Sequence, residues 1–390
     1  MAYDLKRSEK AGPLPQGACT QGLQGRPLRK VSSMPVYVSL DTQFENLGDE
    51  VINALLLRET ARRARLRIFT GKAPDWYRAN IASWLPAGAP QAEFLRGRAR
   101  GLLRLLLGSL LPPGSVMLLS CGDVTRARPN RKRDRAMGLL SRLPFLEIAQ
   151  IGASRLQAGR SEQVWLQRAA DRSGKITVRD GYSLQALQAA GIRAGIVPDL
   201  AFLLDFAPSG RGGKALFMFR DPGTGAEAFA EHLAPLVAQA REMGLDPVFG
   251  WQVARDEACN RRLAALTGAG ILPLPGNCEG RLEAALEAYG EAAVIVSNRL
   301  HGLLIAASRG AIPVPLLNSG EQKIRGVFEQ AGLAPLILEA GAPADANAGA
   351  LAGFVADRGT WRGTLAQAFA ANAAEIRKAL DAFFGSSAVR

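Results

Sequence analysis

The sequence predicts an α/β protein built from two lobes, each with a mostly parallel sheet. Short apolar, β-branched runs alternate with segments whose apolar residues recur at helical spacing, which is typical of a doubly wound parallel sheet. This alternation restarts after a Gly- and Pro-rich segment at residues 205–214. At 390 residues the chain is also too long for one ordinary hydrophobic core. We therefore expect two Rossmann-like lobes with the active site in the cleft between them.

The first lobe is predicted over residues 35–204. It follows a lead-in at 1–34 that is polar, basic and rich in Gly and Pro, which we expect to be disordered and to lack a secretory signal. The apolar runs and the helical patterns predict strands at 36–40, 66–69, 116–120, 145–151, 176–179 and 195–197, with helices at 49–65 and 183–190.

Segment 94–111 mixes arginines with a dense set of leucines. We interpret it as a core helix whose arginines extend to solvent. The alternative is a helix that lies on an anionic lipid surface. It is too short and too charged to span a bilayer, and we expect no membrane span elsewhere.

The second lobe is predicted over residues 215–336, after a hinge at 205–214. Its predicted strands are 215–219, 247–249, 294–296 and 312–317, and its helices are 226–243, a helix to about 266, 281–289 and 323–330. Residues 337–390 are predicted as an Ala- and Gly-rich linker, 337–352, followed by a final helix at 365–384.

The net charge of +13 indicates an anionic partner. Six of the basic residues fall within 126–135, where a solvated loop and an anion-binding surface are equally good interpretations. Aromatic residues are few and are not interleaved with this run, so we expect no nucleic-acid binding. Four scattered cysteines and two distant histidines predict neither a metal site nor disulfides, which fits a cytoplasmic protein.

Residues 294–317 are the most informative stretch of the sequence. They read as strand, turn, helix and strand, with Asn298, Arg299 and His301 at the first turn. In an open α/β sheet, ligands bind at the carboxyl ends of the strands, and a helix N-terminus at that position favours anions. The segment therefore predicts a site for a negatively charged substrate.

Four blocks together resemble a known family. They are Asn46–Glu50, residues 179–202 with Arg179-Asp180 and Pro198-Asp199, Ser297–Gly302, and Lys323–Phe328. In this order and spacing they resemble the polysaccharide pyruvyl transferases, over roughly residues 36–335. Ser297–Gly302 is the most specific of the four.

This resemblance implies a fold similar to that of the two-lobed GT-B glycosyltransferases. It also implies transfer of pyruvate from phosphoenolpyruvate to two hydroxyls of a sugar, which forms a cyclic ketal and releases phosphate, with no cofactor. The donor would be bound by Arg299, Leu300 and His301. A further donor-binding arginine would be Arg179 or Arg220. We add Asn298, Gly302, Lys323 and Asn46 as substrate-binding candidates.

The chemistry of the donor suggests roles for some of these residues. Guanidinium groups bind carboxylate and phosphate in a bidentate manner, so Arg299 is the predicted anion clamp. A histidine titrates near neutral pH, so His301 is the predicted proton donor or phosphate-stabilising group. Asp49 either steers or deprotonates the acceptor hydroxyl or merely complements a helix dipole. Arg179 and Asp180 have an alternative interpretation as a strand-end ion pair, and Lys323 as an ordinary lysine of a first helical turn.

The predicted acceptor is a polysaccharide or lipid-diphosphate-linked saccharide at the inner membrane face. Its anionic character would suit the basic run that follows strand 116–120, where family members are often glycine-rich. Two other functions remain open from the sequence. One is a GT-B glycosyltransferase that uses a nucleotide sugar, and the other is a basic, non-catalytic module that binds membrane or nucleic acid.

Overall fold

The computed structural model describes residues 32–40, 42–87, 92–95, 98–119, 121–124, 130–209, 212–221 and 225–385. Two parallel sheets, each packed with helices, form two facing lobes. The predicted fold class, two Rossmann-like lobes in a GT-B-like arrangement, is thereby confirmed. The predicted disordered lead-in, 1–34, lies almost entirely outside the described residues, as do Arg126 and Arg128 of the basic run.

The first sheet has strands that are all paired in parallel. Its strands are β1 (Ser32–Ser39), β2 (Ala64–Phe69), β3 (Ala92–Leu95), β4 (Ser115–Leu119), β5 (Gly122–Asp123), β6 (Leu146–Ser154), β7 (Ile176–Val178) and β8 (Gly195–Ile196). Their order is β3-β2-β1-β4-β6-β7-β8, with β5 paired to the end of β6. The order reverses direction between β1 and β4, and such a switch point opens a crevice at the carboxyl ends of the strands.

The helices of the first lobe lie on both faces of this sheet. They are α1 (Leu47–Ala61), α2 (Asp75–Ser83), α3 (Arg98–Gly108), α4 (Arg131–Leu140), α5 (Arg160–Ser173) and α6 (Gly181–Ala189), followed by a 3₁₀ turn at Leu200–Leu203. Right-handed crossovers place α1 and α2 on one face and α3 to α6 on the other.

The prediction of one core helix at 94–111 is wrong. The segment contains the end of strand β3 and then helix α3, and most of its leucines are exposed. Leu105 is the member of α3 that enters the core beneath the helix, at 2% exposure. A leucine-rich composition does not show which residues face the sheet, because the helix has leucines on nearly every side.

The second lobe repeats the parallel α/β pattern. Its strands are β9 (Lys214–Met218), β10 (Asp246–Phe249), β11 (Gly270–Ile271), β12 (Ala292–Ser297), β13 (Ile312–Leu317) and β14 (Leu338–Glu339), in the order β11-β10-β9-β12-β13-β14. Its helices are α7 (Ala226–Glu242), α8 (Glu257–Thr267), α9 (Arg281–Tyr289), α10 (Leu300–Ser308), α11 (Gln322–Gln330), α12 (Ala344–Ala356) and α13 (Arg358–Gly385).

The prediction of a linker at 337–352 is also wrong. Strand β14 adds to the second sheet, and α12 covers most of the remaining segment. Alanine has the highest helix propensity of all residues, so an Ala-rich stretch with only scattered glycines forms a helix when one side of it can pack. Leu351, fully buried, supplies that contact.

Helix α13 returns from the second lobe to the first. Phe369 packs against Phe202 with ring centroids 5.1 Å apart, and Arg63 Nε donates to Asp381 Oδ1 at 2.9 Å. Within the part of the chain that the structure describes, no helix is long and apolar enough to cross a membrane.

Candidate active site between the lobes

A cavity of about 320 Å³ lies between the lobes, at the carboxyl ends of both sheets. It brings together nine of the predicted site residues: Asn46, Asp49, Arg179, Arg220, Asn298, Arg299, Leu300, His301 and Lys323. Gly302 is the predicted residue that does not line it. A Cβ atom at Gly302 would lie 3.0 Å from the sulfur of Met218, so this glycine serves close packing of α10 on β9.

A buried charge cluster forms one wall of the cavity. Arg179 follows β7, and its Nη1 donates to Asp199 Oδ2 at 2.5 Å while its Nε donates to Ser154 Oγ at 2.6 Å. His301 Nε2 lies 3.4 Å from Asp199 Oδ2 and also 3.4 Å from Arg179 Nη1. A protonated Nε2 would donate to Asp199, and an unprotonated one would accept from Arg179. The cluster therefore offers Nε2 a hydrogen-bond partner in either tautomer of the ring.

Asp199 is fixed as an anion in this cluster. Its burial would by itself raise the pKa of the carboxyl, but His301, Arg179 and the backbone N–H of Ala201 together hold that pKa well below its usual range. One negative charge thus faces two cationic groups. The imidazolium form of His301 has a permanent counter-ion.

His301 stands at the start of α10 and is only 8% exposed. The opposite lobe approaches it closely, because a Cβ atom built on Gly48 of α1 would lie 2.6 Å from His301 Cβ. Only a residue without a side chain fits at position 48 with this spacing. The glycine of the Asn46–Glu50 block therefore lets the first lobe close over the histidine.

Two arginines line the second-lobe side. Arg299 Nη2 donates to Asp256 Oδ1 at 2.6 Å, so this guanidinium is already held by one carboxylate. Arg220 is exposed and makes no ion pair with any described residue, although its charge opposes the burial that raises the pKa of the nearby Glu321 carboxyl. Asn298 positions the backbone of Arg220 by accepting from its N–H at 2.8 Å and donating to its carbonyl at 3.2 Å. Arg220 is therefore the cation best placed to receive a new anion.

Two groups from the first lobe, Asp49 and Asn46, and Lys323 from the second lobe complete the cavity. Burial raises the pKa of the Asp49 carboxyl, opposed by the charge on His301 and by a 3.0 Å hydrogen bond from Thr42. Lys323 crosses the cleft and donates to Asp123 Oδ2 at 2.5 Å. Asn46 caps α1 by accepting from the Gly48 N–H at 3.0 Å, which accounts for its position without any ligand.

The hypothesis of an Arg179–Asp180 ion pair is wrong. Asp180 caps α6 by accepting from the Ser183 N–H at 2.7 Å, and Arg179 turns to Asp199 instead. The sequence did not assign roles to Asp199, Asp123 or Asp256. For Asp199 a signal existed, since it lies within one of the four resembling blocks. Asp123 and Asp256 show no sequence signal, because their partners lie 200 and 43 residues away.

A larger cavity of about 610 Å³ lies in the first lobe and shares Leu156 with the interlobe cavity. Its lining offers amide, carboxylate and small apolar groups, and it includes no arginine, lysine or histidine among the described residues. Asn130, Gln157 and Gln163 are its neutral polar side chains. It is unsuited to a small dianion but offers the hydrogen-bonding groups that a neutral polar ligand requires.

No cluster of three or more His, Cys, Asp or Glu side chains suited to a metal ion occurs in the described ranges.

Two facing parallel sheets with a cationic cavity between them define a GT-B fold. An O-GlcNAc transferase mutant of Thermobaculum terrenum superposes with a TM-score of 0.53 at 11% identity, covering 94% of this chain and 70% of that one. A putative UDP-N-acetylglucosamine 2-epimerase of Listeria monocytogenes gives 0.53 at 12% identity, with 86% and 91% covered. An α,α-trehalose-phosphate synthase (UDP-forming) of Burkholderia vietnamiensis gives 0.52 at 13% identity, with 91% and 100% covered. At these identities the likeness concerns the fold alone.

Residues 165–316 match the family model described as polysaccharide pyruvyl transferase. This confirms the resemblance found in the sequence over that range, which contains Arg179, Asp199, Arg220, Arg299 and His301. No curated protein matches the chain.

Proposed function

We propose that the chain transfers a pyruvyl group from phosphoenolpyruvate to two hydroxyls of a saccharide, forming a cyclic ketal and releasing phosphate. The observation that carries this proposal is the Arg179–Asp199–His301 cluster in the wall of the interlobe cavity. The cluster falls within the range that matches the pyruvyl transferase family. It combines an anion-binding group with a proton-transferring group, and phosphoenolpyruvate chemistry requires both.

The cationic side of the cavity would bind the donor. Phosphoenolpyruvate carries a carboxylate and a phosphate, and Arg220 and Arg299 offer two guanidinium groups from neighbouring strand ends. The N-terminus of α10, with Leu300 and His301, lies at the same cavity, and a helix N-terminus favours anions. Arg220 would take the new charge directly, while Arg299 would be oriented by Asp256.

The reaction balances with the groups present. His301 in its protonated form would give a proton to the methylene carbon of the donor, and a first sugar hydroxyl would form a C–O bond at C2. The C–O bond to phosphate would then break, and the second hydroxyl would form the second C–O bond. Of the two protons that the hydroxyls lose, one returns to His301 and one leaves with phosphate.

Asp49 would accept the proton of the attacking hydroxyl before passing it on. Its raised pKa makes it a stronger base than an ordinary aspartate, and it lines the cavity from α1 of the first lobe. The larger first-lobe cavity would hold the saccharide, because its lining shares Leu156 with the interlobe cavity. A polysaccharide repeat or a lipid-linked saccharide precursor would satisfy this arrangement.

A glycosyltransferase that uses a nucleotide sugar is the second candidate, favoured by the fold of the superposed structures. The interlobe cavity of about 320 Å³ lies at the small end of the range for ligand cavities, which suits a three-carbon donor better.

Product analysis tests the proposal. The purified chain is incubated with phosphoenolpyruvate and a panel of saccharides, and phosphate release is followed together with the product mass. We expect saccharide-dependent phosphate release and a product equal to saccharide plus pyruvate minus water. In His301→Ala the turnover should fall by ~10²–10⁴-fold. Release of nucleotide from a nucleotide sugar, with phosphoenolpyruvate left intact, would refute it.

A further inference from the structure

The exposed apolar side chains of this protein are concentrated on one face of one lobe. Nine large hydrophobic residues are exposed among the described residues, and eight of them lie between 102 and 164. The eight are Leu102, Leu103, Leu107, Leu110, Leu111, Leu139, Phe145 and Val164, and the ninth, Leu266, lies on the other lobe. Such clustering is unusual for a surface that faces only water.

These residues belong to adjacent elements. Leu103, Leu107 and Leu111 repeat at helical spacing along α3 and just beyond it, and they are 56%, 57% and 69% exposed. The end of α3 is joined to the turn before β6, because Phe145 N–H donates to the carbonyl of Ser109 at 3.1 Å. The two ends therefore form one continuous apolar surface on the outer side of the first sheet.

Basic side chains accompany this surface. Residues 98–145 contain ten arginines and lysines and only two aspartates, so they supply most of the net charge of the chain. One of those aspartates, Asp134, is buried and adds little to the outer surface. The described basic residues that are exposed here are Arg104, Arg131, Lys132, Arg135 and Arg142.

We propose that this apolar–basic face, formed by the exposed residues of α3 and α4 together with Leu110, Leu111 and Phe145, docks on the surface of an anionic phospholipid bilayer. Leucines beside arginines and lysines are the composition of helices that lie in the membrane interface. A second copy of the chain is a poorer occupant, because the same face on both partners would bring like charges together. A lipid surface provides both an apolar layer and negative head groups.

The orientation has a consequence for the acceptor. Asn130, which caps α4, and Asp134 of α4 line the first-lobe cavity, so this cavity borders the helix that carries part of the apolar–basic face. A saccharide carried on a lipid would thus be presented to the cavity from the bilayer. This consequence rests on the proposed function, whereas the docking itself does not.

Flotation of the full chain with lipid vesicles tests the docking. We compare vesicles of phosphatidylcholine alone with vesicles that contain about 30% phosphatidylglycerol. The chain should float with the anionic vesicles and stay behind with the neutral ones. The triple substitution Leu103→Ser, Leu107→Ser and Leu111→Ser should weaken binding at least about tenfold. The matched control Leu266→Ser should leave it unchanged.

A charge variant separates the electrostatic contribution to vesicle binding from the apolar one. Replacing Arg131, Lys132 and Arg135 with Gln should weaken binding by about fivefold for each residue, and raised salt should have the same effect on the unsubstituted chain. Circular dichroism confirms that each variant is folded.

Equal recovery with both vesicle types, or serine variants that bind as the parent does, would overturn the proposal. Analytical sedimentation that shows a dimer of the parent chain but a monomer of the serine variants would also overturn it. The face would then be the contact between two copies of the chain. None of these readouts depends on pyruvyl transfer, so the docking can fail while the proposed function stands.

Discussion

The chemistry of His301 depends on a carboxylate 102 residues away in the sequence. Asp199 contacts both Arg179 and His301 in a largely buried cluster, where a cation without any counter-ion would be costly. The same pair would position the imidazole against the donor. Because this carboxylate is buried with two cationic partners, removing its charge should also lower the stability of the protein.

Asp199→Asn should change the pH dependence of unfolding in a defined direction. Because the folded pKa of Asp199 is depressed, its stabilising contribution is present above the unfolded pKa of about 3.9 and is lost as the pH falls toward the folded value. At neutral pH the variant should lose about 3 kcal/mol. Urea unfolding from pH 7 to pH 3 measures this, and the difference between variant and parent should shrink below pH 4.

The exposed Asp171, which pairs with Arg193 on the surface, is the matched control. Asp171→Asn should leave the unfolding curve nearly unchanged over the same pH range. A difference between Asp199→Asn and the parent that stays constant down to pH 3 would show that Asp199 is not the anion described here.

Arg220 should act on donor affinity and not on folding. Its guanidinium makes no ion pair with any described residue, and its charge acts on Glu321 only at longer range, where it lowers the pKa of that carboxyl. Arg220→Gln therefore removes a cation from the cavity without breaking an ion pair. Loss of a charge-assisted hydrogen bond should weaken phosphoenolpyruvate binding roughly 10–100-fold. Isothermal titration calorimetry measures the affinity, and Arg193→Gln is the surface control. Unchanged affinity in Arg220→Gln would exclude Arg220 from the donor site.

At the scale of elements, the first turns of helices α1 and α10 lie so close together that no side chain fits between them at position 48. Gly48 makes this approach possible, and Asn46 caps α1 so that Gly48 sits in its first turn. The Asn46–Glu50 block therefore acts in two ways, as a cap and as the contact between lobes. Asp49 then points into the cavity from a helix whose position is fixed.

Gly48→Ala should separate the two lobes at the active site. The added methyl would lie 2.6 Å from His301 Cβ, and overpacking of this kind costs about 1–3 kcal/mol. Turnover should fall together with stability. Gly349→Ala is the control, because it lies within α12 with open space around its Cβ position and should stabilise by roughly 0.5–1 kcal/mol. Thermal unfolding and phosphate release measure both effects; a Gly48→Ala protein with parental stability would contradict the contact.

Some of the elements and contacts could be predicted from the sequence, and others could not. Buried parallel strands such as β12 and β13 were predictable, because runs of β-branched residues without alternation need cover on both faces. The meeting of Arg299 and His301 with Arg179 and Asp49 was predictable from strand ends and the family resemblance. The partners Asp256 and Asp123 were not predictable, because ion pairs between elements leave no periodic pattern. The predictions for segments 94–111 and 337–352 were wrong because composition alone does not show which side of a helix can pack.

At the scale of the whole molecule, a buried polar network joins the lobes. Glu50 of α1 and Arg281 at the start of α9 are 0% and 2% exposed, and Arg281 Nε donates to Glu50 Oε2 at 2.5 Å. Asn80 donates to Glu50 Oε1 at 2.7 Å and accepts from the Gly280 N–H at 2.8 Å. The guanidinium of Arg281 also lies 4.5 Å from the ring centroid of Trp76. Every member is satisfied across the lobe boundary, so the two lobes should unfold together.

Glu50→Gln should expose how strongly this network couples the lobes. The substitution leaves the charge of Arg281 buried without its counter-ion, and breaking a buried pair in this way costs about 3–5 kcal/mol. The double variant Glu50→Gln, Arg281→Met removes both charges and should regain part of that loss, which a double-mutant cycle in urea unfolding quantifies. Glu257→Gln, which removes an exposed ion pair with Arg261, is the control. If the network fixes the lobes, Glu50→Gln should also split one cooperative transition into two, because each lobe has its own sheet. A single transition with additive effects of the two substitutions would mean that the lobes are held together by α13 and its contacts with the first lobe instead.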